Sequence, residues 1–258
     1  METPVEIVPV RRLPLLKSGD DLALLLIASL KRQGTSMRNG DVLVIGQKAV
    51  SKVEGRVVDI DKVKPSREAT RLSKSTKKRP EFIQVVLNDA KKVLKADENA
   101  FIVLTRNGSV CLNGGADKSN IKGDSMYALL PHDSDGSARR LRDRIGKITG
   151  KVVGVIISDT RSRPFRLGQV EEAIGVAGLK PLVDYRGQSD LFGYQLQFKN
   201  VNVADELASA AELVMGQGRE MTPAALIRGL PRITIGGRGS SKDLTVSASE
   251  DLFGGTLP

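Results

Sequence analysis

The sequence predicts a mixed α/β fold, and three observations carry that prediction. Short apolar, β-branched runs such as "DVLVI", "AFIVLT" and "KVVGVIIS" have the composition of strands. Between them lie segments with helical periodicity, of which "VADELASAAELVMG" is the plainest. There Val203, Leu207, Ala210, Ala211 and Val214 fall on one face, and Gly216 is placed to end the helix. Length is the third: a chain of 258 residues buries a sizeable core in one large domain or two small ones. With aromatics at 3% and no Trp, that core must come from Val, Leu, Ile and Ala. No internal repeat is evident, and the alternation of elements does not fix the topology.

In chain order, residues 5–10 read as a strand running into "RRLPLLKSGDD". Ser18 or Asp20 is placed to cap a helix through about Lys31, with Leu22, Leu24–Leu26 and Leu30 as its apolar face. Gly34 and "RNGD" break it, after which "DVLVIGQKAVSKVEGRVVDI" alternates or runs apolar over roughly two strands. "PSREATRLSKSTKKRPEFIQVVLNDAKKVL" reads as two helices split at Pro80, its "KSTKK" run a solvated helix end. The strand "AFIVLT" leads by a turn into "CLNGGADKSN", where two glycines permit a tight turn and a close approach. "DSDGSARRLRDRIGKITG" is helix-like, with Asp133, Ser134 or Asp135 as its cap. "KVVGVIISDT" is a buried strand that ends abruptly in Ser158, Asp159 and Thr160. The last stretch, "GGRGSSKDLTVSASEDLFGGTLP", is Gly/Ser-rich and reads as a mobile tail.

Forty basic residues against thirty acidic ones give a net charge of +10, which favours anionic partners or marks a lysine-rich solvated surface. One cysteine, Cys111, excludes an intrachain disulfide and a thiolate metal cage, and one histidine, His132, excludes a multi-histidine centre within the chain. A metal here would rely on oxygen ligands, as Mg²⁺, Mn²⁺ and Ca²⁺ do. The N-terminal "METPVEIVPVRRLPLL" lacks the apolar core of a signal peptide, and no apolar run approaches ~18 residues. A soluble, cytoplasmic protein is expected.

Three places gather hard oxygen or amide ligands: Asp117 in the glycine-led turn, Asp159–Thr160 at a strand end, and "GQGRE" after the helix that ends near Gly216. Two carboxylates with a hydroxyl or amide oxygen would hold one or two divalent ions and leave positions open for phosphate oxygens and water. An Asp at a strand end serves equally as a cap or turn former. Common nucleotide motifs are absent: there is no G-x-x-x-x-G-K-[ST], and "GGRGSSK" lacks the strand context. Lys48 and Lys52 follow the strand "DVLVI" and could neutralise phosphate charge.

Taken together, "RRLPLLKSGDDLA", "GDVLVIGQKAVSKVEGRVVD", "NGSVCLNGGADKSN", "GVIISDTRSRPFRLGQVEEAIGVAGLKPLVDYRGQSDLFG", "VNVADELASAAELVMG" and "GSSKDLTVSASEDLF" resemble the coenzyme F420:L-glutamate ligase family, in the family's order and over almost the whole chain. The resemblance implies a GTP-dependent carboxylate–amine ligase. It would join L-glutamate through a γ-linkage to coenzyme F420-0, a phosphate-containing deazaflavin, through an acyl phosphate. It implies that Leu13, Pro14, Leu15 and Leu16 lie against the guanine nucleotide, and that Gln47, Lys48 and Lys52 make its polar and phosphate contacts. Asn120 and the segment Met215, Gly216, Gln217, Gly218, Arg219, Glu220, Met221 and Thr222 match further nucleotide contacts. Asp117, Asp159 and Thr160 match metal ligands, and Gln217 a second metal position, for Mg²⁺ or Mn²⁺ with K⁺ as a monovalent aid. No residue is assigned as the catalytic base. The family's fold is an unusual two-lobed α/β arrangement forming an intertwined homodimer, so residues 1–258 would be a single catalytic unit whose lobe boundary the sequence does not mark.

Departures from the family pattern are Phe165 where many relatives carry Trp, Glu171 and Glu172 near a usual Asp, "CLNGGAD" for "CANAGID", and Thr245–Val246 for Ile-Arg near the tail. The nearest alternative is a related amide ligase with a different carboxylate acceptor or amino acid. A basic nucleic-acid-binding protein is disfavoured by the lack of aromatic interleaving and of any recognised nucleic-acid-binding motif. Neither nucleic acid nor a membrane is an expected partner.

Overall fold

The aliphatic runs "DVLVI" and "KVVGVIIS" pair into the central sheet of the computed structural model, which describes residues 4–106, 108–247 and 249–252, and "AFIVLT" joins a smaller one. In chain order the elements are β1 (Glu6–Pro9), α1 (Leu22–Arg32), β2 (Val42–Gly46), α2 (Gln47–Val53), β3 (Val57–Asp59), α3 (Arg67–Thr76), α4 (Pro80–Asp89), β4 (Ala90–Ala96), β5 (Phe101–Thr105), β6 (Val110–Leu112), β7 (Met126–Ala128), α5 (Ser134–Thr149), β8 (Gly154–Ser162), β9 (Gln169–Ala177), β10 (Leu182–Asp184), β11 (Asn200–Asn202), α6 (Val203–Met215) and β12 (Ala224–Arg228). The fold is therefore mixed α/β, as the sequence predicts.

Five strands form the main sheet in the order β1-β12-β2-β8-β9. β2 and β8 run parallel, and the other pairs are antiparallel. Because both faces are covered where β2 and β8 pair, Val42–Ile45 and Val155–Ile157 are continuously apolar rather than alternating. One face packs Leu43, Ile45, Val155 and Ile157 against α1 and α5 through Leu26, Leu30 and Ile145. The other packs Val42, Val44 and Ile156 against Leu207, Ala208 and Ala211 of α6. Burial of these aliphatic side chains contributes roughly 1.5–3 kcal/mol each before chain entropy is counted.

A separate apolar cluster lies under α3 and α4. Ile60, Leu72, Phe82, Ile83, Phe101 and Val103 meet there beneath the small sheet β4-β5-β6, and the ring of Phe82 sits 4.9 Å from that of Tyr127. Every residue of this cluster comes from the chain between β2 and α5.

The main sheet has one asymmetry that matters for the site. Gly46, the last residue of β2, pairs with Ser158, but β8 continues through Asp159, Thr160, Arg161 and Ser162 paired only with β9. The parallel pairing thus ends at Gly46 and Ser158, and β8 projects past it.

Several elements differ from the sequence reading. "QKAVSKV" is the helix α2, inserted between the two strands expected there, because Ala49 and Val50 bury on one side as a helical turn allows. The helix expected to reach "KKVL" stops at Asp89, and that stretch becomes β4 against β5. Asp21 caps α1 instead of Ser18 or Asp20, its side chain accepting from the Leu24 backbone N–H at 3.1 Å. Of the three caps considered for α5, Asp133 is the one used, accepting from Gly136 N–H at 2.8 Å. The stretch read as a mobile tail is docked at its start: residues 241–244 form a single 3₁₀ turn tied to Asp135. Residues 253–258 of that tail lie outside the described residues. Among the described residues no helix is long and apolar enough to cross a membrane.

Candidate active site

A cavity of about 270 Å³ opens where the β2–β8 pairing ends. Sites in open α/β sheets favour such places, since the carboxyl ends of parallel strands deliver side chains from a rigid support into a crevice. Every residue proposed above for nucleotide or metal lines it. Leu13–Leu16 form one wall, and α2 supplies Gln47, Lys48 and Lys52. Asp117 and Asn120 enter from the glycine-led turn, Asp159 and Thr160 from the projecting part of β8, and residues 215–222 from the loop that leaves α6.

Hydrogen bonds tie these segments to one another. Lys48 Nζ lies 2.9 Å from Asp117 Oδ2 and 2.6 Å from Ser119 Oγ, so α2 and the turn share a cation. Lys52 Nζ donates to the Asn120 carbonyl at 2.9 Å, and Asn120 Nδ2 donates to the Gly218 carbonyl at 3.1 Å. Asn120 holds φ at 56°, a left-handed conformation that Asn tolerates better than most residues. Gln217 Nε2 donates to Thr160 Oγ1 at 2.9 Å and to Glu171 Oε1 at 3.1 Å, and Thr160 Oγ1 donates to the same Glu171 oxygen at 2.5 Å.

The electrostatics are unbalanced toward negative charge on the β8 side. Burial pushes Asp159 up to about 6; Arg161, whose Nη2 stands 3.3 Å away, opposes the shift, while Glu171 and Asp117 add to it. Burial also works to raise Asp117, yet Lys48 and Ser119 hold it below the usual carboxylate range. Burial, with help from the neighbouring Lys48, lowers Lys52. Glu171 Oε2 is buried with no hydrogen-bond partner, as is Gln47 Nε2.

Among the described residues no group of three or more His, Cys, Asp or Glu side chains is arranged to hold a metal ion by itself. Mg²⁺ seldom needs such a cage, since it commonly takes one or two carboxylates and completes its shell with water and substrate phosphates. The unpartnered Glu171 oxygen and the mutual crowding of Asp159, Glu171 and Asp117 leave negative charge that a cation would offset. The donor set, which includes the Thr160 hydroxyl and the Gln217 amide, fits a hard divalent ion.

Two residues belong to this site that sequence reasoning did not place there. Glu171 enters because it stands opposite Thr160 across the β8–β9 pair, a register that "QVEEAIG" alone does not reveal. Arg161 joins through Asp159, two residues earlier on the same strand face, where the i, i+2 spacing was a usable signal. The two glycines of "CLNGGADKSN" also work differently from expectation. Gly114 and Gly115 have φ of 62° and 73°, and a Cβ on them would meet Val86 at 2.9 Å and Leu130 at 2.6 Å. Their close approach is to the protein's own core, and it aims Asp117 outward.

Comparison with known proteins adds to this geometry. The family model described as F420-0:Gamma-glutamyl ligase matches residues 11–229. A protein of Methanothermobacter thermautotrophicus named coenzyme F420:L-glutamate ligase is 40% identical over 251 residues, covering 97% of this chain and 99% of the relative. The proteins of that name from Methanocaldococcus jannaschii and Archaeoglobus fulgidus are 45% identical over 243 residues and 42% identical over 249. They cover 93% and 96% of this chain, and 94% and 96% of their own lengths.

Proposed function

This chain belongs to the F420-0:gamma-glutamyl ligase family, a family of ligases, and from that premise we propose that it adds L-glutamate by a γ-linkage to coenzyme F420-0, with GTP as the energy source. Successive additions would give F420-1, F420-2 or longer products. The observation that carries this reading is the convergence of five separate segments, residues 13–16, 47–52, 117–120, 159–160 and 215–222, on one cavity where the β2–β8 pairing ends.

The chemistry follows from the charges present. Joining a carboxylate to an amine in water is uphill, so the carboxylate must be activated. Transfer of the γ-phosphoryl group breaks the bond to the β-phosphate oxygen, releases GDP and leaves an acyl phosphate on F420-0. The glutamate amine then attacks the acyl carbon, loses a proton, and phosphate departs with the bonding electrons. Lys48 and Lys52 stand where they would take phosphate charge, and Lys48 would leave Asp117 to do so. Asp117, Asp159, Thr160 and Gln217 would hold Mg²⁺ or Mn²⁺ at two positions, with K⁺ as a monovalent aid. Such an ion screens phosphate repulsion and stabilises charge in phosphoryl transfer. Leu13–Leu16 offer apolar and backbone surface for the guanine.

Assembly as a homodimer is part of the same proposal. Leu167 in the β8–β9 turn, and Leu191, Phe192 and Phe198 between β10 and β11, are large apolar side chains left almost wholly exposed, as surfaces covered by a partner are. Incubation with F420-0, GTP, L-glutamate and Mn²⁺, followed by mass spectrometry, tests the activity. Products heavier by whole glutamyl units, formed with GDP and absent without GTP, are expected. GDP release with other carboxylates, and none with F420-0, would instead favour a related amide ligase with a different acceptor.

A further inference from the structure

A second cavity, of about 580 Å³, adjoins the first. Asp159 lines one and Arg161 the other, so the ion pair between them is the shared wall. The remaining walls come from the β5–β6 turn, the start of α5, β9 and the docked tail. Asp135 fixes the tail in place: it accepts from Ser241 N–H at 2.9 Å, from Ser240 Oγ at 2.7 Å and from Ser241 Oγ at 3.0 Å, while also accepting from Val176 N–H of β9 at 2.8 Å.

The lining has an unusual mixture of signs. Arg106, His132 and Lys242 surround it with no ion-pair partner among the described residues, and Arg161 forms its inner end. Of its carboxylates, Asp133 caps α5, Asp135 holds the tail, and Asp205 accepts from Ala173 N–H at 2.8 Å and Asn202 Nδ2 at 2.6 Å. Glu172 is different: its half-buried side chain makes no hydrogen bond among the described residues. Two buried polar atoms of the lining residues, Arg161 Nε and Ser134 Oγ, also lack partners. Buried polar groups in native proteins are usually satisfied, so two orphans and an unpaired carboxylate around one cavity point to a missing ligand.

We propose that this second cavity receives the incoming amino acid, with Glu172 taking its ammonium group and Arg161, Arg106 and Lys242 taking its carboxylates. The inference rests on the ligase reading for the identity of that amino acid, L-glutamate. A phosphate or carboxylate ligand without an amine would be repelled by Glu172, whereas an amino dicarboxylate satisfies both signs at once. Because Arg161 pairs with Asp159, an amino acid held there lies beside the cavity in which the carboxylate would be activated.

Glu172→Gln and Lys242→Glu in the full chain test this by steady-state kinetics. Each should raise KM for L-glutamate at least about tenfold, the equivalent of one lost charge-assisted contact, with KM for GTP unchanged. N-acetyl-L-glutamate, which lacks the ammonium group, should compete poorly against L-glutamate in the unmodified protein and gain ground selectively in Glu172→Gln. A merely structural role would not move that selectivity. A raised KM for F420-0 with that for glutamate unchanged would assign the cavity to the acceptor and overturn the proposal, and so would no change in either constant. Glutamate binding without acceptor, followed by saturation-transfer NMR, separates this from the ligase reading. Binding by the unmodified protein that is lost in Glu172→Gln sustains the site even if no ligation occurs. Equal binding by both, or none, overturns it.

Discussion

Two carboxylate environments flank the Asp159–Arg161 pair, one at Asp135 and one shared by Asp117, Asp159 and Glu171, and they are built on opposite electrostatic principles. Asp135 is a saturated hub whose oxygens accept once from β9 and three times from the tail, and it ties distant segments together. Around Asp159, carboxylates crowd one another, Glu171 keeps a buried oxygen unpartnered, and Asp117 is held only by the mostly buried Lys48 and its neighbour Ser119. Satisfied buried charge stabilises a fold, whereas unsatisfied charge is retained at sites where a substrate or ion supplies the missing partner. The contrast makes distinct claims about activity and stability.

The largest effect falls on the first cavity. Asp117→Asn should lower kcat by about 10²–10³, the magnitude typical of removing a group that stabilises developing charge. Its unfolding midpoint should barely move, since Lys48 would return to water. Urea denaturation alongside the product assay checks both halves. A large loss of stability with activity retained would mean that the carboxylate is structural and the contrast is false.

Asp135→Ala should reverse that pattern. It leaves Val176 N–H and Ser241 N–H facing a buried space without an acceptor, at about 2–4 kcal/mol of unfolding free energy. The tail should then become sensitive to proteolysis near residues 240–245, which limited digestion would reveal. Lys48→Met comes next in size. Its expected signature is a rise of about tenfold in KM for GTP, the loss of one phosphate contact, with near-unchanged stability. Equal KM for GTP in the variant would place the phosphates elsewhere.

How far the sequence revealed this arrangement depends on the range of the interaction. Asp117 and Gln217 were legible because each follows a turn or helix end, and Asp159 because it ends an apolar run, although β8 itself continues past it to Ser162. The match of "GQKAVSK" to the family pattern singled out Lys48, which lines the cavity, although the segment's helical form was missed, because a short amphipathic turn and an alternating strand bury similar residues. The pairing of Thr160 with Glu171 depends on strand register, which no local pattern states. Asp135 and Ser241 are separated by 106 positions, and a Gly/Ser-rich composition argues for mobility until an acceptor fixes it. Local chemistry was readable, and the long-range contacts that complete each cavity were not.

The smallest effect is a shape, not a magnitude. Burial works to raise Asp135, but the bonds from Ser241, Ser240 and Val176 hold its carboxyl below the usual range. A carboxyl depressed in the folded state contributes stability that is present above its unfolded pKa and is lost as pH falls through the folded value. Asp159 has the opposite sign, since burial lifts it to about 6. Its contribution is greatest below the ordinary carboxylate range and is lost as pH rises through about 6. Unfolding free energies measured against pH in the presence of a chelator should therefore separate the two carboxylate environments. Asp135→Asn should flatten the fall in stability on the acid side below about pH 4, and Asp159→Asn should flatten the decline between about pH 4 and 6. If both variants altered the same limb, the two carboxylates would share one environment, and the division between a saturated hub and an unsatisfied site would not hold.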